Sequence, residues 1–127
     1  MANLDALRKQ MGENLKCDDL HRTIYATDAS VYREKPFGVA WPTHLEDLHA
    51  LLHFAKTEGI PLIPRTAGTS LAGQVVGSGL VIDFSRYMDR ILEINPDSRT
   101  VTVEPGVIRD DLNLALKKHQ LFFGSTW

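Results

Sequence analysis

Apolar residues along this chain fall into blocks of differing period, and the periods sort them into helices and strands. Leu4, Leu7, Met11 and Leu15 recur at steps of three and four, which predicts a helix over 3–15 with Asn3 as N-cap. Gly12 is the residue in that block that opposes it. From Cys17 to Phe37 the periodicity fades. The string Tyr25-Ala26-Thr27-Asp28-Ala29-Ser30-Val31-Tyr32 reads as a packed irregular segment, anchored to the core by its two tyrosines. Val39-Ala40-Trp41 predicts a short strand that Pro42 stops.

The next block is the most regular. Thr43-His44-Leu45-Glu46 matches a capping box, in which hydroxyl and carboxylate satisfy each other's orphan amides. Leu45, Leu48, Leu51, Leu52 and Ala55 form an apolar stripe, and Gly59 supplies the stop. A strand near Leu62-Ile63 completes a strand–helix–strand unit, which predicts a parallel pair with a right-handed crossover. Leu80-Val81-Ile82 is apolar without alternation, the pattern of a strand covered on both faces. Ile91 to Ile94 and Val101 to Glu104 flank Asn95-Pro96-Asp97-Ser98, which predicts an antiparallel hairpin around a type I turn. Pro105-Gly106 breaks the second strand. Ile108, Leu112, Ala115 and Leu116 mark a last helix ending near His119, with Lys117 and Lys118 favourably placed for its dipole. The fold class is α/β (α+β): a small mixed sheet with flanking helices.

Composition changes this picture little. The chain has 127 residues, 43% hydrophobic and 24% charged, the size and balance of one globular domain. A net charge of −2 offers no electrostatic ground for a nucleic acid partner. No apolar run approaches the ~20 residues of a transmembrane helix, and the first residues lack the pattern of a signal peptide. The single Cys17 excludes an internal disulfide, and its surroundings suggest no reactivity. Cytoplasm is the expected compartment.

Candidate chemistry concentrates in Pro64-Arg65-Thr66-Ala67-Gly68-Thr69-Ser70-Leu71-Ala72-Gly73-Gln74, between two apolar runs. Such a loop can turn several backbone amides toward one point, the geometry that binds phosphates. A Walker A loop requires lysine where Gln74 stands. A Rossmann fingerprint requires a helix, whereas Gly77-Ser78-Gly79 leads directly into a strand. A strand–loop–strand cradle remains, with Gly68 and Gly73 permitting close approach and Thr69 and Ser70 adding hydroxyl donors. A ligand-free tight connection is an equal alternative on spacing alone. Arg65 would pair with a pyrophosphate or with a carboxylate such as Asp83. His49 and His53 lie four apart, but Ala50 stands where a metalloprotease helix needs glutamate, so solvated or half-buried histidines with no metal are expected. Asp110 and Asp111 open the last helix, where the dipole favours acids without any catalytic role.

From Pro64 to Gln74, and again at Val81-Ile82-Asp83-Phe84-Ser85, the sequence resembles the flavin-binding segment of the FAD-linked oxidases. These are the vanillyl-alcohol oxidase and p-cresol methylhydroxylase type flavoproteins, with the glycolate oxidase and D-lactate dehydrogenase flavoprotein subunits nearest in character. Ile91 to Ile94, Val101 to Val107, Leu121 to Gly124, Tyr25 to Ser30 and the Trp41-Pro42 pair extend the likeness over about residues 20–124. The resemblance implies the first half of an FAD-binding domain, with 1–36 as lead-in and 37–127 as an incomplete FAD-binding subdomain. It implies that Arg65, Thr66, Ala67, Gly68, Thr69, Ser70, Leu71 and Gly73 hold the FAD pyrophosphate, with Gln74 adjacent. Pro42 and the Pro105-Gly106-Val107 turn would lie near the cofactor.

Thr66 and Ala67 depart from the family, which often has glycines there, so both must keep negative φ or accept strain. Thr69 stands where some branches carry the histidine that attaches flavin covalently, which implies non-covalent FAD. The resemblance further implies a complete enzyme that oxidises a 2-hydroxy acid, with cap and remaining flavin domains outside this chain. By itself the chain is expected to bind FAD weakly, to lack turnover and any catalytic residue, and to self-associate through exposed apolar surface. A sugar-nucleotide reductase on the same flavin fold, or a non-catalytic nucleotide-binding or protein-interaction module, are the alternatives.

Overall fold

The computed structural model describes residues 2–26, 35–66 and 78–124. Its helices are α1 (Ala2–Met11), α2 (Asp19–Ile24), α3 (Leu45–Glu58) and α4 (Arg109–Leu116). Its strands are β1 (Leu15–Lys16), β2 (Gly38–Ala40), β3 (Leu62–Arg65), β4 (Leu80–Asp83), β5 (Ile91–Asn95) and β6 (Thr100–Val103). A four-stranded mixed sheet runs β1-β2-β4-β3, and β5-β6 form a separate two-stranded sheet. The mixed α/β class read from the sequence holds.

The first helix stops earlier than its leucine spacing implies. Gly12 takes φ +56°, a short 3-10 turn follows, and Leu15 enters β1 opposite Ala40. Leu15 is buried as the period requires, but from a strand. Asn3 lies inside α1 instead of capping it, and its amide donates to Glu58 Oε1 at 2.7 Å. Between Cys17 and Phe37 the expected irregular segment contains α2. The Asp18 carboxylate caps it, accepting the His21 N–H at 3.2 Å. Six residues show no apolar period, because Leu20 and Ile24 both face outward.

In α3 the cap and the stripe both shift by a few residues. His44 occupies the N-cap position, and Glu46 is exposed. The reciprocal pair is Thr43 with Asp47: the Thr43 N–H and hydroxyl each donate to Asp47 Oδ2 at 3.0 Å. Burial alone would raise the Asp47 carboxyl, but the Thr43 donors outweigh it and hold the group below the usual range. Leu45 and Leu52 are 62% and 57% exposed, so the buried face is Asp47, Leu51 and Phe54, flanked by Leu48. Phe54, absent from the expected stripe, is the largest apolar residue on it. Gly59 does end the helix, at φ 67°, with the Ile60 N–H returning to the Ala55 carbonyl.

The strand–helix–strand unit is real, but its strands are not neighbours. β4 inserts between β2 and β3 and runs parallel to both. The run Leu80-Val81-Ile82 accounts for this. Leu80 and Ile82 face α1 and α3 with Leu7, Met11, Leu51 and Phe54, while Val81 faces the opposite layer with Val39 and Trp41. A strand buried on both sides is best placed centrally, and burying each such side chain stabilises by roughly 1.5–3 kcal/mol.

The hairpin forms as expected, with Arg99 at φ 57° in its turn and a register shift between Ile91 and Glu93. Glu104 closes its open end. The Arg90 N–H, Nε and Nη2 donate to the Glu104 carboxylate at 3.0, 2.6 and 2.9 Å. The Arg90 guanidinium holds the Glu104 carboxyl below its ordinary value, against a smaller opposing effect of burial. A carboxylate whose folded value is depressed stabilises the fold fully above its unfolded value, and loses that contribution as pH falls through the folded one. Unfolding stability should therefore drop as pH falls below about 5, and Glu104→Gln should flatten that part of the profile in urea titrations. An unchanged slope would show that the clamp contributes nothing.

Candidate functional site

Because β2, β4 and β3 are parallel, their C-terminal ends open on one edge of the sheet. That edge is where ligands bind in open α/β sheets. Trp41 and Pro42 follow β2, Arg65 and Thr66 end β3, and Asp83 ends β4. Trp41 and Pro42 are buried, Arg65 is half-buried and Thr66 exposed. Ala67, Gly68, Thr69, Ser70, Leu71, Gly73 and Gln74 lie outside the described residues.

The expected turn at Pro105, Gly106 and Val107 reaches the same edge by a backbone contact. The Gly106 N–H donates to the Met88 carbonyl at 2.8 Å, and its Cα lies against the Phe84 carbonyl just past β4. A Cβ at Gly106 would stand 2.2 Å from the Phe84 oxygen and 2.6 Å from the Met88 oxygen. Glycine is thus required here by backbone packing. Pro105 is exposed and Val107 half-buried.

A side-chain network organises the strand ends. The Tyr25 hydroxyl donates to Asp83 Oδ2 at 2.5 Å and accepts from Trp41 Nε1 at 3.2 Å. The Ser85 N–H and hydroxyl donate to Asp83 Oδ1 at 2.9 and 2.6 Å. Asp83 is buried, with both carboxylate oxygens engaged. Burial, and then the bond to Asp83, push the Tyr25 phenol above its ordinary value, so it stays protonated as the donor this network needs. Two guanidinium groups cover the rings: Arg65 lies 5.1 Å from the Tyr25 centroid and Arg86 lies 4.3 Å from that of Trp41. Stacking of this kind orients a guanidinium over an aromatic face. Sequence reasoning named Tyr25 as an anchor and Asp83 as a carboxylate near Arg65, but missed Arg86. Its only signal was its place three residues after the last residue of a buried strand.

His49 and His53 are both exposed on α3, and no cluster of three metal-ligating side chains occurs among the described residues. Asp110 and Asp111 lie in the first turn of α4. Among the described residues, no helix is long and apolar enough to cross a membrane.

The model of the FAD binding domain family matches residues 36–127. The chain belongs to this family. It is 39% identical over 124 residues to D-2-hydroxyglutarate dehydrogenase of Pseudomonas putida, covering 94% of this chain and 12% of that protein. It is 37% identical to the mitochondrial cytochrome-type D-lactate dehydrogenase of Kluyveromyces lactis, covering 80% of this chain and 18% of the other. With glycolate oxidase subunit GlcD of Bacillus subtilis the identity is 33%, covering 87% and 24%. The chain therefore spans a quarter or less of these relatives. Among solved structures, alkyldihydroxyacetonephosphate synthase superposes with a TM-score of 0.79 at 20% identity, covering 92% of this chain and 26% of that one. p-Cresol methylhydroxylase superposes at 0.73 with 16% identity, covering 94% and 25%. These two likenesses show a shared fold, as the resemblance read from the sequence implied.

The strand ends suit the family's cofactor. Asp83, the carboxylate at this edge, is enclosed by donors from Tyr25 and Ser85, while the guanidinium groups of Arg65 and Arg86 gather beside it.

Proposed function

We propose that this chain is the pyrophosphate-holding part of the FAD site in a flavin-dependent dehydrogenase that oxidises a 2-hydroxy acid. The convergence of three parallel strand ends beside Arg65 and Arg86, immediately before the segment 67–77, carries the reading. The loop amides, with Arg65 and Thr66 at its entrance, hold the phosphates. Pro42 and the Pro105-Gly106-Val107 turn shape the wall beside them. FAD is held non-covalently through this loop, since Thr69 offers no imidazole nucleophile.

When bound, FAD supplies the redox chemistry, taking a hydride from the hydroxyl-bearing carbon while the hydroxyl proton leaves and a later acceptor restores the flavin. This chain binds and orients the cofactor. The groups that recognise the substrate carboxylate and remove the hydroxyl proton belong to the rest of a longer protein. The relatives that act on D-2-hydroxyglutarate, D-lactate and glycolate by name support a 2-hydroxy acid as the substrate class. The boundary near residue 37 is kept as the start of the FAD-binding subdomain, with α1, β1 and α2 as its lead-in. The exposed side chains of Ile108, Leu114, Phe122 and Phe123 support a further domain, or a second copy, covering this surface. Titration of the chain with FAD, followed by flavin fluorescence and by release of the flavin on denaturation, tests the reading. Saturable quenching with full release is the expected result; no quenching, or colour retained by the denatured chain, contradicts it.

A further inference from the structure

Arg86 sits on a turn that is fixed at both ends, just past β4. Before it, the Ser85 N–H and hydroxyl both donate to Asp83 Oδ1. Beyond it, the Met88 N–H donates to the Phe84 carbonyl at 3.2 Å, and the Met88 carbonyl accepts the Gly106 N–H at 2.8 Å. The side chain is exposed, yet its guanidinium lies 4.3 Å from the centroid of the Trp41 ring. That ring is held in turn. The Trp41 N–H donates to the Asn14 carbonyl at 2.8 Å, and Nε1 donates to the Tyr25 hydroxyl. An exposed arginine ordinarily samples many rotamers and loses that freedom when it binds a ligand. At this position the stacking has already ordered it.

Stacking uses the face of a guanidinium and leaves its in-plane N–H groups to other acceptors. Among the described residues, no carboxylate pairs with Arg86 and no oxygen accepts from it. Arg90, four residues on, is the contrast, with Nε and Nη2 both committed to Glu104. The Asp83 carboxylate is engaged by Tyr25 and Ser85. A planar, ordered donor at the C-terminal edge of a parallel sheet suits two-point recognition of a phosphate. We propose that Arg86 is a further cofactor-binding residue: from its seat on Trp41, the guanidinium donates to a phosphate oxygen of the dinucleotide. The proposal rests on the reading of this edge as the FAD site. It adds a contact from the turn after β4 to those assigned to the segment before β4.

Titration with FAD, followed by flavin fluorescence, and displacement of bound FAD by ADP test this in the chain and three variants, with thermal unfolding recorded for each. Arg86→Met keeps an apolar cover on the indole and removes the charge. It should weaken both FAD and ADP about tenfold, the low end for losing a hydrogen bond to a charged group. The gap from the parent should narrow as salt is raised. Arg86→Lys, which keeps the charge without the planar fork, should fall between the two. Lys56→Gln makes the same change of net charge in the last turn of α3, which leads into the start of β3 at the opposite end of the sheet. It should bind like the parent. A role confined to covering Trp41 predicts that Arg86→Met binds at least as tightly as Arg86→Lys. That order, unchanged affinity in Arg86→Met, or an equal loss in Lys56→Gln overturns the inference while leaving the FAD site in place. A parent chain that fails to bind FAD overturns the site reading and this inference together.

Discussion

Trp41→Ala is expected to cost about 3–5 kcal/mol of folding stability, the range for deleting a buried aromatic side chain. Trp41 is 1% exposed and packs with Val39 and Val81 on the face of the sheet away from α1 and α3. That layer is thin. Tyr25 and Ile63 are partly buried hydrophobic residues beside it, and Tyr25 and His21 each meet Trp41 edge-on, at 6.2 and 5.7 Å between centroids. Among the described residues few apolar side chains border the space, so a cavity there keeps most of its cost. The substitution also removes the indole donor to Tyr25 and the ring beneath Arg86. A domain of this size has only about 5–15 kcal/mol in total, so the loss is a large share of its stability. Urea unfolding measures the loss. Leu114→Ala, at a position 73% exposed, should stay within about 0.5 kcal/mol of the parent. A Trp41→Ala loss below about 1 kcal/mol would mean that this layer is not a core.

Gly106→Ala is expected to cost about 3 kcal/mol, the upper part of the range for overpacking. The new methyl group would overlap the Phe84 and Met88 carbonyl oxygens, both backbone atoms that cannot rotate aside. Relief requires moving the turn, which would stretch the Gly106 N–H bond to Met88 and loosen the Glu104 clamp on Arg90 two residues away. Gly12 provides the contrast. Its Cβ would meet nothing within 4 Å, and the cost of alanine there comes from φ +56° alone, about 1–2 kcal/mol. Equal losses at the two positions in urea unfolding would contradict the packing account. Because the Gly106 turn borders the strand ends, Gly106→Ala should also weaken FAD binding in whatever fraction remains folded.

Much of this architecture is legible in the sequence because burial is periodic. The unbroken run Leu80-Val81-Ile82 marks a central strand, and the structure places it between two parallel neighbours. Gly59 marks a helix end at the residue where the backbone turns left-handed. What pattern alone does not supply is competition among near-equal choices. Thr43 could pair with Glu46 or Asp47, and the more buried Asp47 wins because it also lies within reach of Gln10, whose Nε2 is 3.4 Å from Oδ1. Leucines at 45 and 52 count toward a stripe by spacing, yet Phe54 takes the buried position because the helix rotates to bury its largest side chain.

The candidate site divides in the same way. Its loop is recognisable from glycines, hydroxyls and flanking strands, since those residue types bear directly on phosphate binding. The network beneath it is long-range. Tyr25 and Asp83 are 58 residues apart, and only the parallel placement of β2 beside β4 brings the residues around them together. Short motifs carry no record of such a contact. Arg86 is similarly silent in sequence, because its role comes from the Trp41 ring, which arrives from another strand end.

Competition between ligands in the FAD titration tests the central claim most directly, because the proposed edge recognises pyrophosphate and not the flavin ring. ADP carries the pyrophosphate without a flavin, and riboflavin carries the flavin without phosphate. If these strand ends and their loop hold the phosphates, ADP displaces bound FAD from the chain in a saturable, salt-sensitive manner, and riboflavin at the same concentration does not. Displacement by riboflavin with no effect of ADP would contradict the account.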